Sequence, residues 1–377
     1  MGGPVKLPSC PEIKSFFPEF RVPLVHNFLL LVYCVLAGRS LSLYRCAEYV
    51  PGEALFDSKY RRLLRFVRIK RANAFCQGVA RLLLAMAPTG SVLVMDRTNW
   101  RRGQAPVNLL CLGLLVDGRF YLPLLCMPLL KHGASNQDER IALIKQFITL
   151  LGSAKGYLLL ADREFAGKRW LRWLRSQGME VLIRLRDEDY ADHACRSGKC
   201  TPHQFRRKVH RKGSFSIRFK LEGYWFYYTG LIDQTVGGDV FYLLSSRPCA
   251  RESAQLYAKR WSIEVFFKQL KSAGFQLEST GLTDPRRLAI LMAVASVAYL
   301  MALEEGITES TKRPIKTKQT ISRSWPEISV FRYGLRALVG KIRTLWQLGR
   351  WIKRRMQRIK KYCRGFSAEK EGLSVQY

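Results

Sequence analysis

Two aspartates follow short apolar runs that have the composition of buried β-strands. Asp96 follows Ser91 to Met95, and Asp162 follows Gly156 to Ala161. Either aspartate alone is typical of a side chain that caps a turn. Both together predict convergence, because the ends of neighbouring strands in one sheet lie close in space. Crowded carboxylates repel one another unless a cation binds between them, and oxygen ligands of this kind suit Mg²⁺ or Mn²⁺.

A third carboxylate lies in a predicted helix over Arg251 to Ser272. One face of this helix carries polar side chains at helical spacing: Tyr257, Arg260, Glu264, Lys268 and Lys271. The opposite face is apolar and is predicted to pack on the sheet: Ile263, Phe266, Phe267 and Leu270. An ordinary surface helix with ion pairs shows similar spacing. Three converging carboxylates would instead support two-metal phosphoryl transfer, with ions about 3.5–4 Å apart.

The order of residue types within this helix resembles a known signature. The segment Tyr257 to Lys271 has the spacing Y-x2-R-x3-E-x6-K and resembles the DDE transposases of insertion sequence family four. The segments Met95 to Trp100 and Ala161 to Phe165 are similar to the first and second aspartate segments of that family. The resemblance covers about residues 57 to 300, and the two ends of the chain are only compatible with it.

The resemblance implies an RNase-H-like core with an acidic triad. Asp96, Asp162 and Glu264 would be the catalytic carboxylates and would bind two divalent ions, Mg²⁺ or Mn²⁺. The implied reaction is cleavage of double-stranded DNA at the terminal inverted repeats of a mobile element. The freed 3′-hydroxyl would then be joined to target DNA by cut-and-paste, commonly through a hairpin at the element end.

The resemblance also implies DNA contacts on the glutamate helix. Tyr257, Arg260 and Lys271 would hold phosphates next to the cleaved bond, with assistance from Lys268. Trp261 would stack on an unpaired base, as aromatic side chains do where DNA is distorted.

The surrounding sequence predicts an α/β core over residues 90–186 and 249–303. Strands Val107 to Val116 and Arg119 to Met127 flank Asp117-Gly118, a dipeptide that favours a tight hairpin turn. Strand and helix patterns then alternate: helix Glu139 to Leu151, strand Gly156 to Ala161, helix Phe165 to Ser176 and strand Met179 to Leu185. A later helix begins at Asp284-Pro285. This order predicts a mixed sheet with helices packed on it.

Residues 187–248 interrupt the core and predict a β-rich insertion. A basic loop leads into a small antiparallel sheet with turn signals at Glu222-Gly223 and Gly237-Gly238, and with three strands: Ser214 to Lys220, Tyr224 to Ile232 and Val240 to Ser246. Trp225 is a weak stacking candidate, since a half-buried strand aromatic is more common. Four loop residues have types that suit zinc, but their spacing fits no common finger, so a solvated polar loop is the alternative: His193, Cys195, Cys200 and His203.

Both ends of the chain are strongly basic. Residues 1–89 predict a helical DNA-binding region, because cations cluster over Lys59 to Arg71 while no acidic residue lies between Asp57 and Asp96. Within this cluster Arg61, Arg65 and Arg68 are the predicted DNA contacts, with a solvated helix face as the alternative. Residues 304–377 predict a basic helical C-terminal region.

Composition supports a nucleic-acid partner. The 63 Lys and Arg against 29 Asp and Glu give a formal charge of +34, and such self-repulsion favours a polyanionic partner, DNA or RNA before an anionic membrane. The longest apolar run, Leu288 to Leu303, is shorter than the roughly 20 residues that span a bilayer, which predicts a buried helix. The ten cysteines are interpreted as reduced thiols. With no signal peptide pattern, these features predict a cytoplasmic, nucleoid-associated protein.

Three functions remain open from the sequence. The leading hypothesis is an active DNA transposase, favoured because every motif position is occupied. The alternatives are a catalytically inactive or domesticated DNA-binding relative and a structure-specific nuclease on the same fold. Joining two element ends requires at least two protomers, so the first hypothesis predicts a homodimer or higher oligomer on DNA.

Overall fold

A computed structural model describes residues 11–87, 90–186, 189–232, 239–248, 251–319 and 324–357. Predictions that fall elsewhere, including the Gly237-Gly238 turn and the basic residues beyond 357, lie outside these ranges.

The helices that precede the sheet pack around a cluster of aromatic rings. Phe75 lies 5.4–5.5 Å, between ring centres, from Phe17, Phe28 and Phe66. Burial of these rings and of the apolar residues of the second helix joins this region to the main core. The five helices are α1 (Pro11–Lys14), α2 (Val22–Gly38), α3 (Leu43–Glu48), α4 (Phe56–Phe66) and α5 (Ala72–Met86).

An antiparallel meander opens the sheet. Its strands are β1 (Val92–Arg102), β2 (Ala105–Val116) and β3 (Phe120–Leu129). The predicted hairpin turn is present: Asp117 and Gly118 both have positive φ, 50° and 62°, as a tight two-residue turn requires. β1 is longer than predicted, because β2 pairs with it as far as Arg102.

Strand–helix units complete the core. Their elements are α6 (Gln137–Leu151), β4 (Leu158–Ala161), a 3₁₀ turn (Arg163–Phe165), α7 (Lys168–Ser176) and β5 (Glu180–Leu185). β4 pairs in parallel with β1 and β5. The predicted mixed sheet flanked by helices is therefore confirmed.

The insertion differs from its prediction in two ways. The expected basic loop is largely helical, since α9 starts with a capping box at Thr201 and has Pro202 at its first position. The expected separate sheet instead extends the core sheet, because β8 pairs with β5, giving eight strands in the order β3-β2-β1-β4-β5-β8-β7-β6. The elements are α8 (Ala191–Ser197), α9 (Pro202–Lys212), β6 (Ser214–Leu221), β7 (Tyr224–Ile232) and β8 (Val240–Ser245).

Helical segments follow the insertion and pack on the sheet. They are α10 (Arg251–Ala258), α11 (Trp261–Lys268), a π-helical turn (Gln269–Ala273), a 3₁₀ turn (Leu277–Thr280) and α12 (Pro285–Lys312). Asp284 caps α12 as predicted, by accepting from the Arg287 backbone N–H. By length and composition α12 alone, within the described residues, would span a bilayer, but 83% of its apolar stretch is buried inside the molecule.

The C-terminal part packs against α12. A two-stranded ribbon of β9 (Thr317–Gln319) and β10 (Ser324–Pro326) precedes α13 (Val330–Lys341), and residues 345–357 are also helical. The ribbon was not predicted. α12 contacts α2, α5, β3 and α13, so this one helix connects the sheet to the N-terminal helices and to α13.

Candidate active site

β1 and β4 place the two aspartates side by side. The parallel pairing of these strands ends at Met95 and Ala161, so Asp96 and Asp162 are the next residues in register. The prediction that Asp96 ends its strand is wrong, because β1 continues along β2. Asp162 does follow the last residue of β4. The shared register, rather than two strand ends, brings the aspartates together.

The predicted glutamate helix is not uniform. Between α10 and α11 the backbone tightens: N–H groups of Lys259, Arg260, Ser262 and Ile263 each bond to the carbonyl three residues earlier. Side chains three residues apart eclipse in such a turn, which stacks Tyr257 and Arg260. The helix then widens into its π-helical turn after Lys268. Both distortions flank Glu264, and the predicted apolar face packs inward: Ile263, Phe266, Phe267 and Leu270 are buried.

Arg260 connects two of the three predicted carboxylates. Its Nη1 donates to Asp96 Oδ2 at 2.8 Å, and its Nη2 donates to Glu264 Oε1. Because both carboxylates contact one planar guanidinium, they lie within about 8 Å of each other. The Arg260 side chain is buried, so this double ion pair is shielded from solvent.

Tyr257 contacts the third predicted carboxylate. Its Oη donates to Asp162 Oδ1 at 3.3 Å, and the Arg260 guanidinium lies 5.7 Å from the centre of its ring. Burial raises the pKa of the Tyr257 hydroxyl, and the Asp162 charge raises it further. The phenol therefore remains a proton donor at neutral pH. Residues from β1, β4, α10 and α11 thus meet at one point.

Asp96 has a perturbed pKa. Burial raises it to about 6 from 3.8, while Arg260 and a hydrogen bond from the Arg97 backbone N–H lower it and the charges of Asp162 and Glu164 raise it. Desolvation is the largest cause, because it penalises the charged form. Perturbation of this kind is a feature of functional sites.

A polar network behind the aspartates was missed by the sequence reasoning. Arg97 forms an ion pair with Glu164 at 3.2 Å and donates to Asn108 at 3.2 Å. Glu164 also accepts from Ser135, which in turn accepts from Arg140 at 2.8 Å. This network fixes the turn that follows Asp162. The sequence could have indicated part of this network, because Arg97 and Glu164 lie within two positions of the predicted aspartates.

Lys271 contacts the part of β1 that follows Asp96. Lys271 Nζ donates to the Asn99 carbonyl at 2.7 Å, lies 3.2 Å from Glu278 and sits 5.5 Å from the centre of the Trp100 ring. These contacts tie the π-helical turn to the end of β1. Lys268 is exposed.

Trp261 borders a cleft beside the carboxylates. It is 61% exposed and lines a cavity of about 430 Å³ together with Arg184, Phe241, Tyr257 and Arg260. The cleft lies between the glutamate helix and strands β5, β7 and β8 of the sheet.

The predicted N-terminal contacts are exposed, and α4, which carries two of them, packs on α2 and α3. Arg61, Arg65 and Arg68 are solvent-exposed on α4 and directly after it, whereas Arg62 bonds to Asn27 at 2.8 Å. Five of the seven clustered cations are exposed, and these three are among them.

The zinc prediction has no support. Among the described residues, no group of three His, Cys, Asp or Glu side chains is arranged to hold a metal ion. His193 instead contacts the Lys220 carbonyl at 2.9 Å, and Cys195 is buried in α8. The same finding applies to the acidic triad in this conformation, in which the Arg260 guanidinium lies between Asp96 and Glu264.

Comparison with known proteins identifies the class. Residues 87–301 match the family model described as the Transposase DDE domain, and this segment is more than half of the chain. The chain therefore belongs to the DDE transposase family, whose members are phosphoryl-transfer enzymes that act on DNA and generally use divalent metal ions. The eight-stranded mixed sheet is consistent with the RNase-H-like fold of such domains. No curated protein matches the chain.

Proposed function

We propose that this chain is a transposase of insertion sequence family four, which cuts DNA at the inverted repeats of its element and joins the freed 3′-hydroxyl to target DNA. The observation that carries the proposal is the convergence of Tyr257, Arg260 and Glu264 on Asp96 and Asp162. Surface ion pairs of an ordinary helix would not connect the signature residues to both strand aspartates.

Asp96, Asp162 and Glu264 would hold the divalent ions, Mg²⁺ or Mn²⁺. All three supply hard oxygen donors, and a cationic group already lies between two of them. When bound, a pair of divalent ions stabilises the attacking and leaving oxygens of the transferred phosphate. For these carboxylates to ligate ions, the Arg260 side chain has to leave them.

A DNA phosphate is the natural new partner for Arg260. A guanidinium forms a planar, bidentate contact with a phosphate as it does with a carboxylate. Lys271 and the Tyr257 hydroxyl would bind phosphates next to the cleaved bond, with assistance from Lys268. Trp261 and the adjoining cleft would accept a base displaced by the distortion that a hairpin end requires.

The proposed domains follow the predicted boundaries. Residues 1–89 would bind the element end through Arg61, Arg65 and Arg68, and residues 90–186 with 249–303 would form the catalytic core. Residues 187–248 would be the insertion, and residues 304–377 the basic C-terminal region. Because two ends are joined, the active complex would contain at least two protomers, in the cytoplasm and on the nucleoid.

A staged assay on labelled element-end DNA tests the proposal. The DNA flanking the gene supplies the inverted repeat, and binding, nicking, hairpin formation and joining are scored separately with Mg²⁺. Glu264→Gln keeps the size of the side chain but loses the charge, so nicking should be abolished while binding remains. Glu252→Gln, on the exposed side of α10, is the matched control and should behave as wild type.

Three outcomes separate the alternatives. Wild-type-like nicking by Glu264→Gln would overturn the catalytic assignment. Nicking without joining, even when a pre-cut 3′-hydroxyl end is supplied, would identify a nuclease instead. Binding without any nicking by the wild-type protein would identify a non-catalytic relative.

A further inference from the structure

The strand register puts some side chains of the outer strands on the same face of the sheet as the candidate active site. Paired residues on neighbouring strands point to the same side of a sheet. Asp96 is two residues after Val94 on β1, so both side chains lie on one face. A row of paired residues on that face runs from β1 to β6: Val94, Leu160, Leu182, Ser245, Tyr227 and Arg218.

Exposed cations and aromatic rings occupy the outer part of this face. Arg218 and Lys220 on β6 are exposed, and Trp225 on β7 is 49% exposed. The Arg218 guanidinium lies 4.3 Å from the centre of the Trp225 ring. Nearer the active site, Arg184 stacks on Phe241 at 4.9 Å. Stacking pre-organises a guanidinium while leaving its N–H donors open.

Helices cover the opposite face of the same strands. Phe205 of α9 packs on Phe215, Tyr228 and Tyr242, at 4.9–6.4 Å between ring centres. The exposed cations of α9 are therefore separated by the sheet from Arg218, and they include Arg206 and Arg207.

The positive charge on β6 is not neutralised locally. No acidic residue occurs between Asp192 and Glu222. In the part of the chain that the structure describes, neither Arg218 nor Lys220 has an acidic partner within 4.0 Å. Unpaired cations of this density repel one another, and a polyanion relieves that repulsion.

The surface has the length to follow a duplex away from the active site. Leu231 of β7 lines the cleft beside Tyr257, and Trp225 lies six residues earlier on the same strand. At about 3.3 Å per residue this separation is about 20 Å, roughly six base pairs of DNA.

We propose that Arg218, Lys220 and Trp225, the outer-strand surface, bind the phosphate backbone of the duplex that continues from the cleaved bond. Arg218 and Lys220 contact phosphates, and Trp225 holds the Arg218 guanidinium in place. This proposal rests on the proposed function, because a duplex must first be placed at Asp96 and Asp162.

Salt-dependent binding with a charge-matched control tests the surface. The full-length protein is titrated against a fluorescent 40-base-pair duplex that carries the DNA flanking the gene, at several salt concentrations. The double variant Arg218→Ala/Lys220→Ala should weaken binding about tenfold or more and lower the slope of log K against log salt by about 0.9 for each phosphate that is no longer neutralised. Arg206→Ala/Arg207→Ala removes the same charge from the helix-covered face and should keep both values.

Trp225→Ala tests whether Trp225 positions the Arg218 guanidinium, because it removes the ring without changing the charge of the surface. It should weaken binding several-fold with the salt slope nearly unchanged, and Arg218→Lys should fall between wild type and Arg218→Ala. Equal effects of the two double variants would overturn the proposal. The proposed function would still stand in that case if Glu264→Gln abolishes nicking. A wild-type protein that binds no DNA would overturn the surface and the proposed function together.

Discussion

The Arg260 guanidinium lies 2.8 Å from the carboxylate of Asp96, although 164 positions separate the two residues in the chain. The same guanidinium contacts Glu264, one helical turn further along. Arg260 therefore supplies the counter-charge that two candidate metal ligands need in the DNA-free protein. A divalent ion and the guanidinium therefore compete for Asp96 Oδ2 and Glu264 Oε1.

Removing this guanidinium should tighten divalent-ion binding by DNA-free protein. In Arg260→Ala, Asp96 and Glu264 lose their cationic partner, so Mn²⁺ should bind about tenfold more tightly at pH 8, a gain of about 1.4 kcal/mol. Calorimetric titration with Mn²⁺ measures this directly, without any DNA or catalysis. Nicking by the same variant should fall, because the guanidinium would no longer hold a phosphate.

Arg184→Ala is the control for that measurement. Arg184 lines the same cleft but contacts the Phe241 ring instead of the carboxylates, so its loss should leave Mn²⁺ affinity unchanged. Weaker Mn²⁺ binding by Arg260→Ala would show that Arg260 mainly scaffolds the site.

The pKa of Asp96 predicts a pH-dependent stability in metal-free protein. Because burial raises this pKa from 3.8 to about 6, the folded protein keeps a proton that the unfolded chain loses, and the free energy of unfolding falls as pH rises through this window. The Asn side chain of Asp96→Asn does not titrate, so this variant does not lose stability in this way. The free energy of unfolding of Asp96→Asn minus that of wild type should therefore increase by about 2–3 kcal/mol from pH 4 to pH 7.

Urea denaturation in EDTA at four pH values measures the difference. Asp138→Asn, at an aspartate with a 68% exposed side chain, is the control. A difference between wild type and Asp96→Asn that stays constant over the range would mean that Asp96 ionises equally in the folded and unfolded chains.

The residues of the site were predictable from sequence, but their present partners were not. Spacing alone places Tyr257, Arg260 and Glu264 on one side of a helix, and apolar runs place Asp96 and Asp162 directly after buried strand segments. No local pattern tells whether an arginine pairs with a phosphate, its own helix or a distant aspartate. That choice depends on strand register, which is a long-range property.

The fold errors have similar causes. β1 runs past Asp96 through polar residues because β2 satisfies its backbone hydrogen bonds, and an antiparallel partner is invisible in single-strand periodicity. The joining of β8 to β5 is likewise a non-local pairing. The helices of the insertion were predictable, since Thr201 and Gln204 form a recognisable capping box.

The exposed arginines of α4 should contribute DNA contacts. Arg61 and Arg65 on α4 and Arg68 directly after it are exposed, so replacing all three by Ala should weaken binding to element-end DNA and lower its salt slope by about 0.9 for each phosphate that they neutralise. Fluorescence anisotropy over a salt series measures both quantities. The charge-matched control is Lys168→Ala/Arg169→Ala/Arg172→Ala on α7. If the two triple variants bind alike, α4 carries only a solvated face.

The packing of α13 on α12 should depend on Gly334. A Cβ built there would lie 1.8 Å from the Ala302 carbonyl oxygen and 2.3 Å from the Gly306 nitrogen, so the two helices contact backbone to backbone. Gly334→Ala must push them apart and should lower the free energy of unfolding by about 1–3 kcal/mol. Gly340 in the same helix has open space around its Cβ position, so Gly340→Ala should be neutral or stabilise the protein by up to about 1 kcal/mol. Urea denaturation compares the two variants, and equal stabilities would mean that α12 and α13 are not in backbone contact.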